Sequence, residues 1–201
     1  MKRIALLALA ALLLLTMATA CAENATDDAQ RILVAFFSRA GENYNVGFIE
    51  KGNTAILAEM IAEETGGDLF EIRTVKVYPD DYEETKTIAT AERENNERPE
   101  LATTAENFEG YDVIFLGYPI WWAGMPMAMY TFMESYDFTG KTVIPFNTHE
   151  GSGTAGTVAD IRNAMPDATV LDGFAVRGQV AQEQQDQARE TVRNWLEGLN
   201  L

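Results

Sequence analysis

The chain holds 201 residues but only one cysteine and one histidine. A single thiol, Cys21, excludes an internal disulfide. The lone histidine, His149, precedes Glu150 but does not open an H-E-x-x-H zinc motif, and nothing else supports a hydrolase. No G-x-x-x-x-G-K-[ST] stretch exists, so a nucleoside-triphosphate P-loop is excluded by motif. Basic residues are scarce: 15 Lys and Arg stand against 31 Asp and Glu, for a net charge of −16. So acidic a chain is a poor nucleic-acid binder, because neutralising phosphates is what drives that binding. The longest apolar run, "IALLALAALLLL" near the N-terminus, is shorter than the ~20 residues of a comfortable membrane span. No internal repeat and no domain boundary is visible.

That apolar run has a basic "MKR" before it and small residues, "TMATAC", after it. This is the anatomy of a secretory signal over residues 1–20. Ala18-Thr19-Ala20 satisfies the small-x-small rule and leaves Cys21 as the first mature residue. The stretch resembles a bacterial lipobox, with Ala18 where leucine is commonest. That resemblance implies a chain exported and held to the cell envelope by a lipid on Cys21. Residues 21–30 then read as a flexible tether, and residues 31–201 as one domain with enough chain for a proper core. Loss of Lys2 and Arg3 with the signal takes the net charge from −16 to −18. Such acidity suits a basic protein partner met by electrostatic steering, or serves solubility alone.

Hydrophobic periodicity predicts strands at Ile32–Phe37, Leu69–Arg73, Val113–Gly117, Thr142–Phe146 and Thr169–Phe174. It predicts helices at Asn53–Thr65, Met125–Ser135, Thr157–Met165 and Gln182–Leu199. The run "ILVAFF" is apolar on both faces, as befits the centre of a parallel sheet covered on both sides. Asn53 and Thr54 are good helix starters, and Gly66-Gly67 good stops. In the last helix Ala188, Val192, Trp195, Leu196 and Leu199 share a face. Val75–Gly110 reads as a long acidic connection with a helix around Tyr82–Glu94 and few core residues. Alternation of strand and helix makes this an α/β doubly wound sheet, whose ligands sit beyond the carboxyl ends of the strands.

Three loops at that edge carry the chemistry. After the first strand, Ser38, Gly41, Asn53 and Thr54 suit an anion held by backbone N–H groups and hydroxyls, although helix capping by Asn53 alone explains part of it. "GYPIWWAGMP" sets two tryptophans side by side, and at least one should face solvent or a ligand across its flat π-surface. "NTHEGSGTAGT" contains a literal G-x-G-x-x-G at Gly151, Gly153 and Gly156. A dinucleotide fingerprint belongs at the first strand–helix turn, whereas this one follows the fourth strand. Glycines that let backbone approach a planar ligand explain it better.

With these loops the chain resembles a flavodoxin, over about residues 31–199. The likeness rests on "FFSRAGENYNVG", "KGNTAILAEMIAEETGGDLFEI", "GYPIWWAGMP" and "NTHEGSGTAGT". It implies a three-layer sandwich with a five-stranded parallel sheet in the order 2-1-3-4-5, helices on both faces, and FMN as cofactor. The family's phosphate loop would be interrupted here: Ser38 matches its start, Gly52-Asn53-Thr54 its end, and Glu42–Lys51 would pack over or beside the cofactor. The resemblance gives Ser38, Arg39, Ala40, Gly41, Asn53, Thr54 and Ala55 to the phosphate side. It gives Pro119, Ile120, Trp121, Trp122, Ala123 and Gly124 to a second loop that stacks on the flavin ring. Thr148, His149, Gly151, Ser152 and Gly153 would line the other edge. It implies one-electron transfer to a redox partner protein, with the peptide near Gly124 able to flip beside the ring. An NAD(P)H-dependent flavin or quinone reductase on the same fold is the alternative, with His149 as donor. A binding module without cofactor is a third reading.

Overall fold

The computed structural model describes residues 30–122 and 124–199. The expected signal at residues 1–20, the lipidation site Cys21 and the tether up to residue 29 lie outside the described residues, as does the expected ring contact Ala123.

Strand β1, Ile32–Phe36, shows why the sheet is central. Successive side chains of a strand point to opposite faces. Leu33, Ala35 and Phe37 accordingly enter one core, and Val34 and Phe36 the other. After β1 comes a short antiparallel hairpin, β2 (Gly41–Asn43) and β3 (Gly47–Ile49), paired Gly41 to Ile49. Helix α1, Asn53–Thr65, follows and ends where Gly66 takes φ +71° and donates its N–H to Ala62 O. Strand β4 (Asp68–Glu71) and helix α2 (Tyr82–Glu94) complete the first half. Asp81 caps α2 by accepting from the Glu84 N–H, and Glu83 and Glu84 sit in the first turn where the helix dipole favours them.

The second half runs through β5 (Val113–Pro119), α3 (Met127–Ser135), β6 (Thr142–His149), α4 (Thr157–Ala164), β7 (Thr169–Val170), β8 (Phe174–Arg177), α5 (Gly178–Glu183) and α6 (Gln185–Glu197). All main-sheet pairs are parallel, in the order β4-β1-β5-β6-β7, with β8 also on β6. Counting β7 and β8 as one broken strand, this is the expected 2-1-3-4-5 order. Helices α1, α5 and α6 cover the face of Val34, Phe115 and Ile144. Helices α3 and α4 cover the face of Leu33, Ile114 and Val143. Among the described residues no helix is long and apolar enough to cross a membrane.

Two expectations need correction. The fifth strand is broken because of Pro145. Val143 O accepts from Leu171 N–H, while Thr142 N–H and Thr148 O bond toward β5. Odd-numbered residues of β6 therefore turn their peptide groups to the outer strand, and Pro145 has no N–H to offer there. The outer strand leaves at Leu171 and rejoins at Phe174, opposite Phe146. The last helix is likewise split, because Gln184 leaves helical geometry at φ −132° and ψ 50°. The long connection supplies few core residues, as expected: Ala89, Ala105 and Phe108 are buried, and Tyr78 packs on the α3 side.

Candidate functional site

Strands β5 and β6 run further than expected, to Pro119 and His149, and this carries both loops to the sheet's carboxyl edge. There, beside the point where the chain crosses from β4 over β1 to β5, lies a cleft of about 230 Å³. Its floor and walls include Asn53 from the start of α1, Pro119–Trp122 from the second loop, and Thr148–Glu150 from the third.

The two halves of the interrupted first loop meet. A Cβ on Gly52 would stand 2.2 Å from Ser38 Oγ and 2.6 Å from Arg39 O, so only glycine closes this junction. Ser38 Oγ accepts the Ala55 N–H at 3.0 Å and thus caps α1 from a distance. Thr54 Oγ1 and Thr148 Oγ1 share a buried hydrogen bond of 2.8 Å that ties the first loop to the third. The first N–H groups of a helix have no partner within it, and among the described residues no protein acceptor meets those of Asn53 and Thr54. Asn53 Oδ1 is buried without a partner. An orphaned amide oxygen costs about 1–3 kcal/mol unless a ligand group donates to it.

Other expected residues lie elsewhere. Arg39 does not face the cleft: its guanidinium donates to Pro79 O, Asp80 O and Glu42 O at 2.7–3.1 Å. Burial lowers its pKa, while Asp80, Asp81 and Glu42 oppose that shift. Arg39 and Ala40 line a separate depression beside Phe37 and Tyr78. Gly41, at φ +85°, starts the hairpin against Asp80, whose Cα a Cβ would approach to 2.8 Å.

In the second loop, Trp121 packs edge-on against Phe37 and Tyr78, at centroid distances of 5.4 and 5.2 Å. Trp122 instead leans toward Tyr82 at 6.3 Å and holds a left-handed φ of +48°. Both rings line the cleft, and both are part-buried. Gly124 closes the turn by exchanging two backbone bonds with Trp121, of 2.9 and 3.1 Å.

In the third loop, Gly151 N–H donates to His149 Nδ1 at 2.8 Å. The neutral ring therefore carries its proton on Nε2. Burial lowers the His149 pKa and Arg177 lowers it further, against the pull of Glu150. Gly151, Ser152 and Gly153 do not line the cleft: Gly151 and Gly153 take φ +123° and +61°, and Asn147 Nδ2 donates to Gly153 O. Tyr118, hydrogen-bonded to Thr157 beneath, has its pKa pushed up to about 12 by burial.

Asn43, Tyr44, Tyr82 and Glu150 also line the cleft and were not among the expected site residues. Asn43 and Tyr44 belong to the looped-out segment, whose expected packing over or beside the cofactor was the only signal for them; Tyr82, in the long connection, had none. Tyr44 stacks on Tyr82 at 6.3 Å. Among the described residues no cluster of His, Cys, Asp and Glu could hold a metal ion.

The cleft is a polar anion-ready corner beside an aromatic wall. No curated protein matches the chain in sequence. Among solved structures, one assigned as a flavoprotein from Bacteroides eggerthii DSM 20697 is 30% identical over 85% of this chain and 98% of its own, with a TM-score of 0.69. A second, assigned the same way, from Bacteroides uniformis ATCC 8492, gives 31%, 84%, 99% and 0.67. A flavoprotein in complex with FMN from Lactobacillus acidophilus NCFM is 22% identical over 79% of this chain and 99% of its own; with a TM-score of 0.60, it shares the fold. The sequence model of flavodoxin matches residues 31–199, and the chain belongs to the flavodoxin family.

Proposed function

We propose that this protein binds FMN in the cleft beyond β1, β5 and β6 and carries single electrons to a redox partner. The observation behind the reading is the reunion of Ser38 with Gly52–Ala55 at the start of α1, beside the tryptophan wall. The residues fit the group: the free N–H groups of Asn53 and Thr54 at a helix N-terminus suit its phosphate. The orphaned Asn53 Oδ1 suits a donor such as a ribityl hydroxyl. The similarly folded Lactobacillus acidophilus flavoprotein holds FMN. Bound FMN supplies one- and two-electron redox chemistry, which the protein tunes through stacking, hydrogen bonds and charge. Trp121 and Trp122 offer the ring its stacking surface. Thr148 and His149 line the opposite wall, and the neutral His149 keeps an Nε2 proton to donate.

One observation favours a second reading, an NAD(P)H-dependent flavin or quinone reductase. A cavity of about 450 Å³ lies on the far side of the tryptophan pair, lined by Ala89, Arg93, Met125, Pro126 and Met127. The test is to add FMN to the purified protein and follow its spectrum during stepwise reduction. Two resolved one-electron stages support the carrier. A single two-electron stage, with steady NADPH oxidation when quinone is present, supports the reductase. No binding at micromolar FMN defeats both and leaves a module without cofactor.

Export and lipid attachment at Cys21 belong to the same reading, since residues 1–20 supply the motif. An intact mass showing residues 1–20 retained, or Cys21 unmodified, would overturn them.

A further inference from the structure

Arg93 stands in the last turn of α2. Its guanidinium reaches across to the second loop and donates from Nη1 to the carbonyl oxygen of Trp122. It also lies against Gly124, where a Cβ would sit 3.3 Å from Nη1 and 3.4 Å from Cζ. Among the described residues the Trp122 carbonyl is its only hydrogen-bond acceptor, and no acid forms an ion pair with it. Other arginines are committed differently: Arg98 pairs with Glu134, Arg162 with Asp172, Arg189 with Glu63 and Arg193 with Glu64.

The turn that Arg93 grips needs support. Trp122 is a bulky residue at φ +48°, a conformation that persists only where its surroundings impose it. We propose that Arg93 is a positioning residue that fixes the direction of the Trp122 carbonyl, and so determines which hydrogen-bonding groups the turn presents to the cleft. A charge-assisted bond is roughly twice as strong as a neutral one, so turning that oxygen toward the cleft means breaking the strongest contact the turn has. The redox consequence rests on the FMN reading: donors and acceptors beside the ring shift its electron affinity. Helix α2, which lies in the long acidic connection, thereby tunes the site from outside.

A purely structural role is the rival, since a cation in the last turn of a helix also meets the helix dipole. Lysine separates the two, keeping the charge but lacking the guanidinium's flat fork of donors. The experiment compares wild type, R93M and R93K by thermal unfolding and near-UV circular dichroism of the apoprotein, FMN affinity and the two one-electron potentials. Loss of one such bond should weaken FMN binding by about tenfold in R93M. R93M should also change the tryptophan signal and move the two potentials by unequal amounts. R93K should recover thermal stability without restoring the potentials. Unchanged potentials and an unchanged tryptophan signal in R93M would overturn the proposal, as would full restoration by R93K. If wild type binds no FMN, the cofactor reading fails, and the apoprotein signal alone decides the role of Arg93.

Discussion

At the scale of single residues, the cleft depends on a few short polar side chains that work at a distance along the chain. Ser38 replaces a local N-cap for α1 by accepting the Ala55 N–H from 17 residues upstream. Ser38→Ala should lower stability by about 1 kcal/mol, the usual value of a lost cap, read from urea unfolding. It should also weaken FMN, because the freed Ala55 N–H no longer fixes the helix start against the first loop. His149 makes a pH-dependent contribution whose sign is set by its depressed pKa. The fold favours the neutral ring, which accepts from Gly151. The stabilisation is therefore complete above the ordinary histidine value of 6.5 and disappears as pH falls through the lower folded value. His149→Gln should narrow the difference in melting temperature between pH 7.5 and pH 5 (about the range over which histidine titrates). An equal pH response in both proteins would exclude this role.

At the scale of elements, the hairpin β2–β3 converts an interrupted loop into a wall. Arg39 pins its start by donating to Glu42 O and to the carbonyls of Pro79 and Asp80, and Glu42 N–H in turn reaches Asp80 O. The hairpin brings Asn43 and Tyr44 to the cleft and leaves Phe48 exposed. Removing residues 42–51 and joining Gly41 to Gly52 through two glycines should leave the sheet intact, since neither hairpin strand belongs to it. FMN affinity should nevertheless fall, because the cleft loses one side. An unchanged dissociation constant would assign the hairpin to another purpose. Much of this architecture was legible in the sequence, because buried parallel strands read as apolar runs and the glycine stops stand where α1 ends. The break in the outer strand was not legible, since it depends on which neighbour Pro145 faces, and that is a property of register. The partners of Arg39 were not legible for a similar reason: besides Glu42 O, the carbonyls it donates to belong to Pro79 and Asp80, about 40 residues along the chain.

At the scale of the whole molecule, charge is the dominant feature. The chain without residues 1–20 carries −18, and its seven ion pairs among the described residues are surface pairs such as Lys51–Glu59 and Lys86–Glu83. Exposed pairs contribute about 0–1 kcal/mol each and are weakened by salt. Self-repulsion of the excess carboxylates is also screened, and it acts against the compact state. The two effects have opposite signs, and the carboxylates outnumber the bases by more than two to one. Repulsion should therefore win. Melting temperature should rise between about 0.01 and 0.15 M salt, over which the screening length falls from about 30 to 8 Å. If the proposed redox partner is basic, association with it should respond in the opposite direction, because the same screening removes the steering field. A protein that gains stability with salt while its association rate falls has its charge arranged for encounter. If stability falls with salt instead, the surface pairs outweigh the repulsion, and the acidity is organised to hold the fold.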